Sequence, residues 1–371
     1  MLSIAFKFMW FDKAKMFGII TGITLSVFLI GQQLGICLAL IGSASSLASF
    51  NDQYIWVVSD KSREVNDLPE LDMRVARSLV SVAGVKRVNP MVVVPGAAKF
   101  NNGKKVQLSV IGVSPQTFAG GPWKFKGDKS VLLQEGAIIT DGWEAVLNEN
   151  VKVGDNFEVN GNRVTLVDST EGARGLGQSY AFTTVQLARK LGRVSPDRAS
   201  AFLVEWEDGT SPEQVAKNIE TEIPGVKARE GKTFARETLM YISTSSGIVT
   251  SFGFLVVFAI ITGFAIVGLT LFSAVKDRVR DYGTLKAIGG TNGVVRKIIL
   301  YQSVIYAIVG FLLAIIMVKF FIEGTKKSLD AQLPDYLIVF MIFVTILISV
   351  ISSLFAMRKI TKLEPAEVFR M

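Results

Sequence analysis

Four apolar stretches constrain this chain more than anything else in it, because each reaches the roughly 20 apolar residues of helix that cross a hydrocarbon core of about 30 Å. One lies alone near residues 17–42. The other three, near 248–275, 298–322 and 336–357, crowd into the last third. Between the lone stretch and the cluster runs a polar segment, 43–247. Half of the residues are hydrophobic and mean hydropathy is +0.41, too apolar for an ordinary soluble globule and too charged for a bare bundle of spans. The expected fold class is a membrane α-helical protein with four transmembrane helices in a one-plus-three layout, carrying a large α+β extracytoplasmic domain.

Charge sets the expected orientation. Acidic and basic residues balance within 43–247, so the net charge of +8 comes from the spans and their short flanks and is no nucleic-acid footprint. Lys and Arg beside span ends are retained on the cytoplasmic side. They gather at Lys7, Lys13 and Lys15, in the 276–297 loop (Lys276, Arg278, Arg280, Lys286, Arg296, Lys297), and in the 358–371 tail (Arg358, Lys359, Lys362, Arg370). Both termini are therefore expected inside the cell and residues 43–247 outside, with a short outer loop near 323–335. A signal peptide cleaved near Ser43, Ala44 and Ser45 is the alternative for the first span, but the apolar run exceeds the roughly 7–15 residues of a signal core. Ile36 occupies the place where a lipoprotein Cys37 would need a small residue. With one cysteine, no intramolecular disulfide can form.

Residues 1–16 mix Ile4, Phe6, Phe8, Met9, Trp10 and Phe11 with Lys7 and Asp12. That pattern suits a helix lying in the membrane interface, anchored by Trp10, or a plain extension of the first span. Gly18 and Gly22, then Gly31 and Gly35, form two small-xxx-small pairs, with Gln32 and Gln33 near mid-membrane. They mark either packing against this chain's own spans or a homodimer contact or substrate groove.

The outer segment alternates strand and helix signals. Tyr54–Ser59 reads as a strand, Met73–Val82 as a helix, and Val88–Val94, Ala97–Phe100 and Val106–Gly112 as strands, the last two joined at Asn101-Asn102-Gly103. A β-rich insert of about 116–198 contains Ala137–Thr140, Asn156–Val159 and Arg163–Val167, the last two turning at Asn160-Gly161-Asn162. Ala201–Trp206 and Val226–Arg229 are strand signals around a helix at Pro212–Glu222 capped by Ser211. An α/β part built from about 50–115 and 199–232 is expected to flank the insert, and Thr233–Ser246 to run on as helix into the second span.

Several chemistries have no residues to rest on. The chain contains no histidine, which excludes imidazole acid–base work and His-based metal sites. Cys37 sits in an apolar helix. The glycine runs Gly172–Gly177 and Gly289–Gly293 lack the Lys of a phosphate loop, so any ATP acts in another subunit. Carboxylates such as Asp168 and Glu171 do not stand apart from surface charge, and no metal or catalytic site is expected.

The loop after the second span is more specific. Lys276–Gly290 reads KDRVRDYGTLKAIGG, with Val279, Tyr282, Leu285 and Ile288 at helical spacing and Gly289-Gly290 as a stop. A short amphipathic helix is expected, whose charges and apolar face alone would also suit a basic helix resting on anionic lipid. The ordered run Asp281, Tyr282, Gly283, Thr284, Leu285, Lys286, Ala287, Ile288, Gly289 resembles the cytoplasmic coupling loop of the MacB/FtsX-like ABC permease family (type VII ABC transporters). The ending Leu363–Arg370, LEPAEVFR, resembles that family's tail. Within the family, GQQLG in span one, DYGTLKAIGG in the loop and EPAEVF in the tail look most similar to the DevC-like and haem-exporter permeases.

That resemblance implies a multi-pass permease of the bacterial inner membrane, working as a homodimer with two copies of a cytoplasmic ABC ATPase. It also implies mechanotransmission, with 281–289 as the ATPase-coupling element and ATP and Mg bound by the partner, none by this chain. A periplasmic adaptor and an outer-membrane channel occur in some members. Amphipathic cargo such as a lipid, glycolipid, haem or hydrophobic drug is one expectation. A non-transporting FtsX-type regulator of a cell-wall hydrolase or sensor is the other.

Overall fold

The computed structural model describes residues 2–101, 103–141, 151–326, 329 and 331–360. The tail 363–370 and Asn102, both singled out above, lie outside the described residues. The chain divides into a helical unit (Met1–Leu38, Val249–Lys326, Ala331–Met371) and a mixed unit (Ala39–Ile248 with Lys327–Asp330).

The helical unit begins with α1 (Leu2–Phe11) and α2 (Lys13–Ala44), separated at Asp12. Asp12 ends one helix and starts the next, because its Oδ1 accepts the Lys15 N–H at 3.2 Å and satisfies a donor that the first turn leaves open. Further along the chain come α8 (Ile248–Asp277), α9 (Val279–Ala287), α10 (Asn292–Thr325) and α11 (Asp335–Ile360), numbered in chain order with the helices of the mixed unit below. Helices α2, α8 and α10, and α11 over Asp335–Met357, are long and apolar enough to cross a membrane.

Their packing uses close backbone approach and buried hydroxyls. Thr24 Oγ1 donates to the Gly310 carbonyl at 3.3 Å, and Ser349 Oγ to the Ser303 carbonyl at 2.6 Å. In hydrocarbon a polar group left without a partner is costly, so each such bond ties one helix to another.

The mixed unit contains the short α3 (Ser46–Ser49), then β1 (Ile55–Ser59), β2 (Leu71–Asp72), α4 (Arg74–Ser81), β3 (Val85–Lys99), β4 (Lys105–Val113), β5 (Ala137–Asp141), β6 (Asn156–Val159), β7 (Asn162–Thr170), β8 (Ser179–Thr184), α5 (Val185–Gly192), β9 (Arg198–Ala199), β10 (Ala201–Trp206), α6 (Pro212–Glu222), β11 (Val226–Glu230) and α7 (Gly231–Ser245). Nine strands run in the order β11-β1-β10-β3-β4-β8-β5-β7-β6, and β6 pairs back onto β3 through Ala98 and Val159. That last pairing closes six strands, β3 through β6, into a small barrel and removes its free edges.

Alternation within these strands builds two cores. Val92, Val94, Ala98, Leu108, Val110, Val159, Val164 and Leu166 fill the barrel side, covered by Val185, Ala188 and Leu191 of α5. Ile55, Val57, Phe202 and Val204 form the other core with Leu79 of α4 and Val215 and Ile219 of α6. The two meet inside β3, not near residue 115. Val85–Met91 pair with β10 and Val92–Lys99 with β4, so β4 belongs to the barrel. A third cluster, with Trp56, Trp123, Tyr180, Phe182 and Phe234 at its centre, packs the remaining sheet face against α3 and α7.

Two local expectations are corrected. The helix from Thr233 does not run unbroken into the second span: α7 ends at Ser245, Gly247 has φ +71°, and α8 starts at Ile248, whose N–H reaches Ser246 Oγ at 3.3 Å. Ser211 stands at the N-cap of α6 with extended backbone but makes no capping bond, since its Oγ donates to Glu213 Oε2 at 2.8 Å instead.

Candidate functional site

The coupling stretch forms α9, separated from the end of α8 by the single residue Arg278. Its end is a paired-glycine stop: the Gly289 N–H bonds to the Lys286 carbonyl at 3.0 Å and the Gly290 N–H to the Leu285 carbonyl at 2.9 Å. Gly289 takes φ +99°, a backbone conformation that costs a residue with a Cβ. Asp281 lies in the first turn, where a carboxylate complements the helix dipole. Tyr282 and Gly283 are buried, Leu285 and Lys286 half-buried, and Asp281, Thr284, Ala287, Ile288 and Gly289 exposed. Ile288 is 77% exposed, a large apolar side chain at the tip of the helix.

Tyr282, only 2% exposed, packs its ring 5.6 Å from that of Phe8 on α1, and burial pushes its hydroxyl up to about 12. The Arg278 guanidinium lies 4.9 Å from the Phe8 ring and 5.0 Å from the Phe11 ring. Asp277 is ion-paired with Lys15 of α2, which also holds Asp12 at 3.2 Å. Burial pushes the Asp12 carboxyl up, but the hydrogen bonds from Lys15 and the charges of Lys15 and Arg278 outweigh it and hold it below its ordinary range. From α10, Gln302 Nε2 donates to the Ala5 carbonyl at 3.3 Å. The sequence places Phe8, Phe11 and Asp12 in an interfacial helix or an extension of the first span and Lys15 and Arg278 among the flanking charges, and it gives no sign of the contacts that bring them together.

The glycines of α2 lie against this chain's own spans. A Cβ on Gly22 would meet Ile266 Cγ2 at 2.6 Å, and one on Gly31 would meet Val318 Cγ2 at 2.7 Å and Met341 Cε at 2.8 Å. Gly18 and Gly35 approach Thr270 and Ile322 at ordinary contact distances, 3.5 and 3.9 Å. Gln32 and Gln33 are half-buried. Of the two readings left open by the sequence, close packing within one chain accounts for Gly22 and Gly31.

In the mixed unit, Asp141 is fully buried, ion-paired with Arg174, and accepts the Gly172 N–H at 3.2 Å. It fastens the glycine-rich 172–177 segment to the barrel; nothing in its sequence context marked it. Asp168 accepts its neighbour Ser169 N–H at 2.7 Å, and Glu171 lies 3.8 Å from Lys126. Among the described residues no group of three or more Asp, Glu or Cys side chains converges as a metal site.

Four apolar helices with an α/β domain between the first and second, and a glycine-stopped helix after the second, define a membrane permease with a large extracytoplasmic segment. Two family models match in register with that architecture: MacB-like periplasmic core domain over residues 16–222 and FtsX-like permease C-terminal over residues 253–365. The chain belongs to the MacB/FtsX-like permease family. No match is found among curated proteins. Among solved structures, the chain is similar to the extracellular domain of the ABC-type transporter YknZ from Gram-positive bacteria, at 14% identity over 47% of this chain and 98% of that one, with a TM-score of 0.35. It is also similar to the periplasmic region of MacB from Actinobacillus actinomycetemcomitans, at 12% identity over 50% of this chain and 91% of that one, with a TM-score of 0.36. The assignment rests on the two family models.

Proposed function

We propose that this chain is the permease subunit of an ATP-driven exporter that works by mechanotransmission, as a homodimer with two copies of a cytoplasmic ABC ATPase. The observation that carries this reading is α9. It is a short helix stopped by paired glycines, it presents Ile288 and the half-buried Leu285 at its end, and its opposite side is fixed by Tyr282. An apolar tip on a firmly seated helix is what a groove on a partner protein grips. Residues 281–289 then contact the ATPase, which binds ATP and Mg, and its closure moves α9.

The Lys and Arg residues flanking α2, α8 and α10 support a reading in which both termini and α9 are cytoplasmic and residues 43–247 lie outside, in a bacterial inner membrane. Amphipathic cargo suits a permease with a large extracytoplasmic segment, and an adaptor with an outer-membrane channel would carry that cargo onward. The alternative reading, with which the FtsX-like match also agrees, is a regulator that switches a cell-wall hydrolase or sensor by the same motion.

The test is purification of the tagged chain from native membranes after mild cross-linking, with mass spectrometry of co-purifying proteins and bound small molecules. An ATPase with an adaptor or an amphipathic molecule supports the exporter. An ATPase with a cell-wall hydrolase replaces it with the regulator, and no ATPase refutes both.

A further inference from the structure

Arg278 is the single residue between α8 and α9, so its side chain sits at the joint where any displacement of α9 reaches the span. Its guanidinium lies against two rings of α1, Phe8 at 4.9 Å and Phe11 at 5.0 Å. Its buried Nη2 has no hydrogen-bond partner among the described residues. The group is therefore positioned chiefly by two rings, against which a planar guanidinium can stack while an ammonium meets them only as a point charge. Around it, Phe8, Met9, Asp12, Lys15, Tyr282 and Tyr306 line a cavity of about 20 Å³, close to the space one water molecule needs. The same short stretch carries the Asp277–Lys15 ion pair and the Tyr282–Phe8 ring contact. Three contacts, then, fasten α1 to Arg278 and α9, and the ion pair fastens the start of α2 to the end of α8.

We propose that α1 and α9 move as one body and that Arg278 is the positioning residue that joins them. Displacement of α9 then reaches α2 through α1 and Asp12, as well as α8 directly. The relay rests on the reading of α9 as the ATPase contact; the joint itself does not.

Hydrogen exchange of the purified full-length chain in lipid nanodiscs tests the joint without any ATPase. Arg278→Lys keeps the charge, and the pair Phe8→Leu with Phe11→Leu keeps apolar surface on α1. Each is expected to speed exchange about tenfold in both peptides 2–11 and 279–287, since a desolvated cation–ring contact is worth on that order. The triple variant is expected to go no further than Phe8→Leu/Phe11→Leu, because the lysine has no rings left to lose. Unchanged exchange in α10 and α11 shows that the bundle is intact. Faster exchange in 279–287 alone, or additive effects in the triple variant, overturns the joint. With the co-purified ATPase present, Arg278→Lys is expected to lower cargo moved or partner activated per ATP hydrolysed while ATPase binding is retained. Unchanged coupling overturns the relay, and a wild-type chain that binds no ATPase overturns it together with the function it rests on, the exchange result standing apart.

Discussion

Replacing Gly22 by Ala tests whether the small residues of α2 serve this chain's own packing. The added Cβ would stand 2.6 Å from Ile266 Cγ2 and 3.5 Å from Ile266 Cβ. Resting carbon–carbon contacts lie at ~3.5–4.0 Å, so the overlap is about 1 Å. Ile266 is β-branched and stiff at χ1 in a helix, so its methyl cannot step aside alone and the two helices must part. Overpacking of this kind costs about 1–3 kcal/mol, against a helix-propensity gain of up to ~1 kcal/mol for Gly→Ala. With the full propensity gain the expected net loss is about 0–2 kcal/mol, and about 1–3 kcal/mol relative to a helical glycine whose Cβ finds room. Gly35→Ala is the internal control, because its Cβ would find only Ile322 Cδ1 at 3.9 Å. That variant is expected to be neutral or slightly stabilised.

The assay is loss of helical circular dichroism in mixed micelles as denaturing detergent is titrated in, with Ile266→Ala added to Gly22→Ala as a rescue. Removing the methyl that clashes should recover most of the loss, giving a coupling energy of about 1 kcal/mol or more between contacting sites. The reasoning fails if Gly22→Ala is tolerated as well as Gly35→Ala, or if Ile266→Ala gives no rescue.

Gly289→Ala forces a side chain onto φ +99° and is expected to cost ~1–2 kcal/mol, seen as faster exchange confined to the last turn of α9. Ile288→Asp changes an exposed position, so stability is expected to stay within about 0.5 kcal/mol while ATPase binding, measured by pull-down, is lost; retained binding refutes the contact assigned to the tip. Glu237 bridges Lys227 at 2.7 Å and Arg229 at 3.0 Å. Burial raises its carboxyl and the two cations more than offset this, holding it below its ordinary 4.5. A depressed folded value means that its stabilisation is whole above pH 4.5 and fades as pH falls through the lower folded value. Glu237→Gln is accordingly expected to flatten the acid limb of thermal unfolding of the mixed unit, and an unchanged limb would count against the pairing.

Much of this fold was legible because its signals are local. Apolar length marked α2, α8, α10 and α11, and Pro212–Glu222 emerged as α6 with its bounds as read. Asn160 and Gly161 both adopt positive φ, as a two-residue hairpin turn demands. What escaped were features that depend on residues far apart in sequence. Barrel closure by β6 on β3 joins residues about 60 apart, and no local pattern encodes it. Strand β8 and helix α5 were missed behind the glycine-rich run, although Thr184 capping Leu187 and the spacing of Val185, Ala188 and Leu191 were there to be read. The loop motif located α9, but Phe8 and Phe11 passed as part of an interfacial helix or of the first span because an aromatic stripe reads alike whether it faces lipid or an arginine.

One strand serving two cores has a consequence for anyone exchanging outer domains between relatives. Cutting at the composition boundaries near 115 and 198 would leave Val92–Lys99 and β4 protruding from the recipient as a pair stripped of β8 and β6, and would deliver a barrel lacking two of its six staves. Junctions within the Met91–Val92 step and at Ser200–Ala201 instead keep the β3–β10 and β3–β4 ladders with their own partners and divide only the two-residue β2–β9 pair. A chimera made at those seams should fold in one cooperative step, while one made at the looser boundaries should yield a protease-sensitive strand.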